Sequence, residues 1–309
     1  MKKVAICCFV LFAACVCGGK KSGPAVGVQP AFRLPEVPAV YFDPAARATY
    51  LAAHSWESVD LADTAWVHNM DVLEKALPDY LEVLGMVNVT PDGTAKIRAS
   101  YDALLSRAAA QPALRDSLTG LLEKYLYDPN SPMRNEDLYI PVLEAVIASP
   151  AIASLEKLRP QFQLEMALKN RPGRAAADFA YETADGRKGR LYGIKAPYTL
   201  LYLYNPECHG CEEIRAELLA SRAIRAQYDK GGLAILALYV DEEQDVWRRH
   251  LDEIPRWWIN ARDAGCKIRE AGSYDLRAIP TLYLLGASKE VILKDAFAWQ
   301  VDAYIAGLQ

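Results

Sequence analysis

The stretch Tyr198-Thr199-Leu200-Leu201-Tyr202-Leu203-Tyr204 is almost unbroken in apolar and aromatic character, and two cysteines, Cys208 and Cys211, follow it closely. A run of this kind suits a central strand buried on both faces. Two cysteines separated by two residues, placed where such a strand ends and a helix opens, can close a small disulfide across the first helical turn. The first sulfur then faces unpaired backbone N–H groups and the positive end of the helix dipole, which favour thiolate over thiol. The thiolate is the species that attacks. Cys208 is therefore the expected nucleophile, forming a mixed disulfide with a partner. Cys211, one turn inside, is expected to attack that bond and release the partner reduced. Run backwards, the same pair donates a disulfide.

Two other uses of the pair stay open at this point. Cys208, His209, Cys211 and a distant Cys266 or His250 could supply four zinc ligands. There is no second C-x-x-C, however, and His209 within the turn is badly placed to join both sulfurs on one ion. A purely structural disulfide is the other use, although so short a loop stabilises little through chain entropy. No metal is therefore assigned.

Composition bounds the partners. The 309 residues, 52% of them apolar, suffice for one large or two ordinary domains with a sizeable core, and they exclude disorder over most of the length. With 35 Lys+Arg against 39 Asp+Glu the net charge is -4, so nothing marks a nucleic-acid partner.

The N-terminus reads as an address. Met1-Lys2-Lys3 precedes an apolar run from Val4 to about Val16, too short for a membrane-spanning helix, which needs about 20 residues. Ala13-Ala14-Cys15-Val16-Cys17 resembles a bacterial lipoprotein signal, in which the Cys just after the cleavage point carries the lipid. Cys15 has the better small residue before it, and Cys17 the better polar sequence behind it. An ordinary secretory signal is the plainer alternative. Either way the expectation is a chain working outside the cytoplasm, in the cell envelope facing the periplasm, where disulfides are permitted. A lipid would hold it on a membrane without spanning it. Residues 1–17 are assigned to the signal. Residues 18–44, with Pro24, Pro30, Pro35, Pro38 and Pro44, are assigned to an extended tether.

From residue 45 to 170 the periodicity is helical, as in Ile97, Tyr101, Leu104, Leu105 and Ala108, or Leu114, Leu118, Leu121, Leu122 and Tyr125. The expectation is a bundle of about five or six helices, with Pro112 in a first turn and Pro78 breaking or kinking a helix begun near Trp66. No catalytic constellation is visible here. His54 and His68 are isolated, and the turn-rich stretch Tyr127 to Pro132 reads as a plain connection, with a recognition loop as the alternative.

From 171 to 309 the pattern alternates. Strands are expected at Asp178–Ala184 and Gly189–Gly193 around an Asp185-Gly186 turn, at Tyr198–Tyr204, Leu233–Val240, Thr281–Leu285 and Val291–Lys294. Helices are expected at Ile214–Tyr228, Glu242–Leu251 and Trp299–Leu308. Pro280 opens an apolar strand, Thr281-Leu282-Tyr283, about seventy residues past the cysteines. With the strand, the C-x-x-C and the helix, this segment Ile279-Pro280-Thr281 resembles the thioredoxin superfamily, in particular its exported TlpA-like members, over about residues 172 to 309. Gly173, Asp178 and Phe179 are similar to the G-x-x-x-x-D-F segment that introduces such domains. The peroxiredoxin pattern is not met, because Leu201 and Asn205 stand where it needs Pro and Thr.

The resemblance implies a mixed sheet flanked by helices, that is, an α/β thioredoxin-like C-terminal domain preceded by an all-α domain. It implies that Pro280 is cis and packs against the dithiol. It also implies that Ile279, with Thr281 and His209 beside it, meets an incoming client strand through the backbone. The whole arrangement resembles bacterial lipoproteins whose helical region has no assigned function. Two departures stand out. His209-Gly210 replaces the Gly-Pro of thioredoxins, and a charged imidazole would favour the thiolate while Glu207 and Glu212 oppose it. Tyr202 stands where thioredoxins bury a proton-shuttling acid. Glu207 is a candidate replacement, although an exposed ion pair is the simpler role for it.

The expected function is a membrane-anchored thiol–disulfide oxidoreductase acting on protein disulfides. It would be re-reduced by a membrane electron relay and need no bound cofactor. The alternative is a non-catalytic thioredoxin-like binding or scaffold lipoprotein that captures partners with its helical bundle. Cys266 is read as a buried apolar thiol rather than a second resolving cysteine. Trp257-Trp258 is read as supplying at least one core residue rather than an apolar rim.

Overall fold

A computed structural model describes residues 32–90 and 92–308. The lipidation candidates Cys15 and Cys17 lie outside the described residues. Of the expected tether, residues 32–43 carry no regular helix or strand, and the Phe32 ring lies 5.0 Å from Trp56 in the core of the helical half. No helix among the described residues is long and apolar enough to cross a membrane.

The helical half contains α1 (Pro44–His54), α2 (Met70–Asn88), α3 (Gly93–Ala108), α4 (Pro112–Leu126), α5 (Glu136–Ala148) and α6 (Leu158–Leu168). Asp43 caps α1, its Oδ2 accepting from the Ala46 N–H at 2.8 Å, and Pro44 and Pro112 occupy first-turn positions. Pro78 does not break a helix begun at Trp66. Trp66 sits in a separate 3-10 turn (Thr64–His68), and α2 starts afresh at Met70 and runs through Pro78. The hydrogen bond lost at Pro78 is offset by burying Leu73, Leu77, Tyr80, Leu81 and Leu84 along one face. These residues, with Ile97, Tyr101, Leu104, Leu118, Leu122 and Val142, make one apolar core.

The second half is built on a seven-stranded sheet in the order β2-β1-β5-β4-β3-β6-β7. Its strands are β1 (Ala180–Thr183), β2 (Lys188–Arg190), β3 (Tyr198–Tyr204), β4 (Leu233–Tyr239), β5 (Ile259–Arg262), β6 (Thr281–Leu285) and β7 (Val291–Leu293). β3 pairs parallel to β4, and β4 to β5, while the remaining neighbours pair antiparallel. The sheet is flanked by α7 (His209–Ala220), α8 (Arg222–Asp229), α9 (Gln244–Arg249), α10 (Lys267–Glu270) and α11 (Ala298–Ala306).

Several expected boundaries move. The single helix Ile214–Tyr228 is two, because Ser221 leaves the helix and its Oγ caps α8 by accepting the Ile224 N–H at 3.0 Å. The second strand of the hairpin stops at Arg190, and Leu191 turns into a 3-10 segment that buries its side chain. β5 was not anticipated, since Ile259-Asn260-Ala261-Arg262 has little apolar character and owes its strand to pairing along β4.

β3 alternates as a two-faced strand must. Leu200, Tyr202 and Tyr204 join the core under α7, α8 and α11, while Leu201 and Leu203 join the opposite core with Phe179, Leu236, Leu238 and Tyr274. Tyr202 and Cys211 thus lie on one side of the sheet.

The halves meet through polar groups. Lys294 Nζ, only 4% exposed as a side chain, lies 2.8 Å from the Glu136 carboxylate. It also donates to the carbonyls of Met166, Ala167 and Lys169 at the end of α6, at 3.3, 2.9 and 2.8 Å. Asn170 Nδ2 donates to Ser273 O, and Lys169 Nζ to Gly272 O, both at 2.8 Å.

Candidate active site

Cys208 sits at the N-cap of α7, directly after the turn that leaves β3. Its Sγ accepts the N–H of Cys211 at 3.3 Å and donates to the Ile279 carbonyl at 3.5 Å. The side chain is half-buried, and the sulfur lies at the mouth of the helix facing the loop before β6. Cys211 is buried, with 1% of its surface exposed. Burial pushes its thiol well above the ordinary cysteine range, with the Cys208 sulfur adding to the effect and the Arg215 guanidinium opposing it. Arg215 stands four residues further along the same helix and holds Glu253 at 2.8 Å. The i, i+4 spacing carries that placement in the sequence, although Arg215 was not singled out.

The Ile279–Pro280 peptide bond is cis. This brings Pro280 against the helix mouth, where a Cβ added to Gly210 would meet Pro280 Cδ at 3.6 Å. Thr281 is buried and its Oγ1 donates to the Ala278 carbonyl at 2.8 Å, a bond that ties the loop to itself. Among the described residues the Ile279 N–H donates to no group, and its carbonyl faces Cys208. Cys208, Cys211, Ile279, Pro280 and Thr281 are thus brought together.

His209 differs from expectation. Its side chain is 83% exposed and pairs with Glu213 at 3.2 Å, one turn along α7, so its contribution is made at the solvent surface. Tyr202 occupies the position under the pair and donates its hydroxyl to the Cys211 carbonyl at 2.6 Å. Burial raises the phenol strongly, which keeps it a donor and no acceptor for a thiol proton. Glu207 is half-exposed, 3.5 Å from Arg249 and 3.9 Å from His250, which is the ion-pair role.

Cys266 is buried at the start of α10, and burial raises its thiol, with Asp263 next in effect. Among the described residues no three His, Cys, Asp or Glu side chains gather in a way that could hold a metal ion. Trp258 is a core residue, edge-on to Tyr202 at 6.0 Å, and the Trp257 ring lies 4.5 Å from that of Tyr228, tilted against it by 53°.

Beside the pair opens a cleft of about 640 Å³. One side is Gly210, Ile214, Ile279, Pro280 and Thr281, and the other is Pro129, Asn130 and Arg134 from the helical half. It is also lined by the charged residues Glu136, Asp275, Arg277, Lys294 and Asp295. Burial pushes the carboxyls of Glu136 and Asp295 up and the Lys294 ammonium down, and the pairing among these groups opposes each shift. The sequence held no signal for this cluster, whose members are separated by up to 159 residues (Glu136 to Asp295).

A crystallised thioredoxin-like protein from Bacteroides caccae superposes with a TM-score of 0.85 at 41% identity, over 91% of this chain and all of that one. The chain belongs to the thioredoxin-like family. Residues 16–170, half of the chain, also match the family described as Domain of unknown function (DUF5106), to which the helical half belongs. Among curated proteins, the thiol–disulfide oxidoreductase ResA of Bacillus cereus is 25% identical over 136 residues, covering 43% of this chain and 76% of ResA. The C-terminal domain of a Bacteroides fragilis protein is 44% identical over 44% of this chain and 98% of that one, with a TM-score of 0.44. The thioredoxin-like family therefore carries the fold read from β3, the helix mouth and the cis-proline loop, and the class is that of the thioredoxin-like oxidoreductases.

Proposed function

We propose that the chain is a thiol–disulfide oxidoreductase that exchanges disulfides with protein clients outside the cytoplasm, held at a membrane by a lipid on Cys15 or Cys17. The observation that carries the reading is the position of Cys208 Sγ: at the mouth of α7, accepting the Cys211 N–H and facing the Ile279 carbonyl beside cis-Pro280.

The exchange takes two steps. The Cys208 thiolate attacks one sulfur of a client disulfide, a mixed disulfide forms, and the second client sulfur leaves as a thiolate. Cys211 then gives up its proton to the thiolate freed on the client in the first step, and attacks the Cys208 sulfur. The mixed bond breaks, and the client leaves with both sulfurs reduced while Cys208 and Cys211 are joined. Two electrons pass from the pair to the client, and the reverse sequence returns them. A membrane electron relay of dithiol chemistry would restore the reduced pair.

Each group has a part. The N–H of Cys211 and the helix mouth stabilise negative charge on Cys208. Burial keeps Cys211 protonated until the mixed disulfide has formed, so the second sulfur does not compete with the first. The Ile279 N–H, which donates to no group among the described residues, offers a backbone contact to an extended client segment.

Cys208→Ala is expected to abolish reduction of the insulin disulfides by the pre-reduced protein while leaving its circular dichroism unchanged. Undiminished reduction in that variant ends the assignment. The reduction potential of the pair then sets the direction, since about 30 mV corresponds to 1.4 kcal/mol in a two-electron couple.

A further inference from the structure

We infer that the helical half forms the second wall of the client site, and that the loop between α4 and α5 selects for an extended segment of a protein client. The inference rests on the thiol–disulfide reading of Cys208 and Cys211 and adds a partner surface to it.

The cleft beside cis-Pro280 is bounded by two halves of the chain. Gly210, Ile214, Ile279 and Pro280 form the wall that carries the chemistry, and Pro129, Asn130 and Arg134 form the facing wall. The facing wall is held in place. Arg134 Nη1 donates to the Pro129 carbonyl at 2.6 Å, and Arg134 Nη2 donates to the Asp295 carbonyl of the other half at 2.9 Å. Its guanidinium also lies 3.7 Å from the centre of the Phe297 ring. One side chain therefore grips the loop with one nitrogen and the thioredoxin-like half with the other. Beyond it, the Arg277 guanidinium stacks 3.8 Å over Tyr127 at the start of the same loop. Asn130 is left exposed at the lip, its N–H tied to Asp128 Oδ1 at 2.8 Å.

The chemistry of the cleft points to the occupant. Its buried anions already have cations: Glu136 has Lys294, Asp275 has Arg277 and Asp295 has Arg134, while the Glu213 carboxylate lies 3.2 Å from the His209 ring. A small charged disulfide finds no spare counter-ion among these groups. What the cleft offers instead is shape and main-chain recognition, through the Ile279 N–H, which donates to no group among the described residues. That group is a donor for a carbonyl of a polypeptide backbone, and the volume of about 640 Å³ is within the range of sites that enclose a ligand.

The test compares two oxidants on the full, pre-reduced chain: insulin and the small aromatic disulfide dithiobis-nitrobenzoate, each followed in a single turnover. Asn130→Trp is expected to slow the insulin reaction by about tenfold more than the small-disulfide reaction, a difference of about 1.4 kcal/mol in activation free energy. Asn130→Ala, which opens the same lip, is expected to move the ratio in the opposite direction. If both variants alter the two rates by the same factor, or alter neither, the loop is no part of the client site and the inference is overturned. A wild-type chain that reduces neither oxidant overturns the thiol–disulfide reading itself, which is a different result.

Discussion

The helical half and the thioredoxin-like half bury their apolar residues in different ways. In the helical half, α1 to α5 converge on one core, and its members recur at three- and four-residue steps along the chain. In the other half, β3 divides its residues between two cores, one on each face of the sheet. The first arrangement needs mainly local regularity, whereas the second needs strands far apart in sequence to align. The seam between the halves follows neither pattern. It is built from Arg134, Glu136, Arg171, Asp275, Arg277, Lys294 and Asp295, which are charged and, apart from the more exposed Arg277, half-buried. Each half can thus close its own core, and the charges fix how the two sit against one another. The cleft beside the dithiol opens along that seam.

Four measurements sharpen this contrast. The largest effects are expected at the seam and in the cores. Lys294→Met leaves the Glu136 carboxylate only its longer pairs with Arg171 and Arg277 and takes the ammonium from three helix-end carbonyls, and should cost about 3 kcal/mol in urea unfolding at neutral pH, as for other buried pairs that lose one member. A loss below 1 kcal/mol would mean that the seam does not bind the halves. Next are the cores. Leu104→Ala in the helical half and Leu236→Ala in the sheet, both fully buried, should each cost about 3 kcal/mol. If one urea transition shifts in both variants, the seam makes the halves a single cooperative unit. Two transitions, each answering to one variant, would break that coupling.

A smaller effect is expected under the dithiol. Tyr202→Phe removes the hydroxyl that donates to the Cys211 carbonyl and should cost about 1 kcal/mol by chemical denaturation. A loss above 3 kcal/mol would give that hydroxyl more to hold than one carbonyl. The smallest concerns pH. Burial raises the Cys211 thiol, so the folded, reduced chain keeps a proton that the unfolded chain releases above about pH 8.5. The unfolded state then binds fewer protons, and the stability of the dithiol form falls as pH rises through that range. Cys211→Ser should flatten the fall. An equally steep profile in the variant assigns it to other groups.

The central strand, the helix mouth and the cis-proline segment were legible because each is a local signal: an apolar run, a C-x-x-C and a proline opening a strand. Pro78 misled, since the proline rule is local and the packing of α2 outweighs it. β5 was invisible because Ile259 to Arg262 become a strand only beside β4. Ser221 was passed over because a cap in the middle of a helical pattern looks like one more surface residue. Within the site, His209 was placed at the sulfurs by its position in the motif, and its rotamer turns it outward to Glu213. Asn130 lay in the turn-rich stretch read first as a plain connection and only alternatively as a recognition loop, and Arg134 and Asp295 gave no sign at all.

The sequence by itself determined the character of each half and the order of the reactive sulfurs, because those follow from periodicity and from where a helix begins. Only the tertiary structure decided what faces the sulfurs. The wall opposite Pro280 comes from a loop about 150 residues earlier in the chain than Pro280, carried there by the paired charges of Arg134, Glu136 and Lys294. Long-range ion pairs of this kind leave no periodic trace, since each residue taken alone is an ordinary surface charge until the fold buries it against its partner.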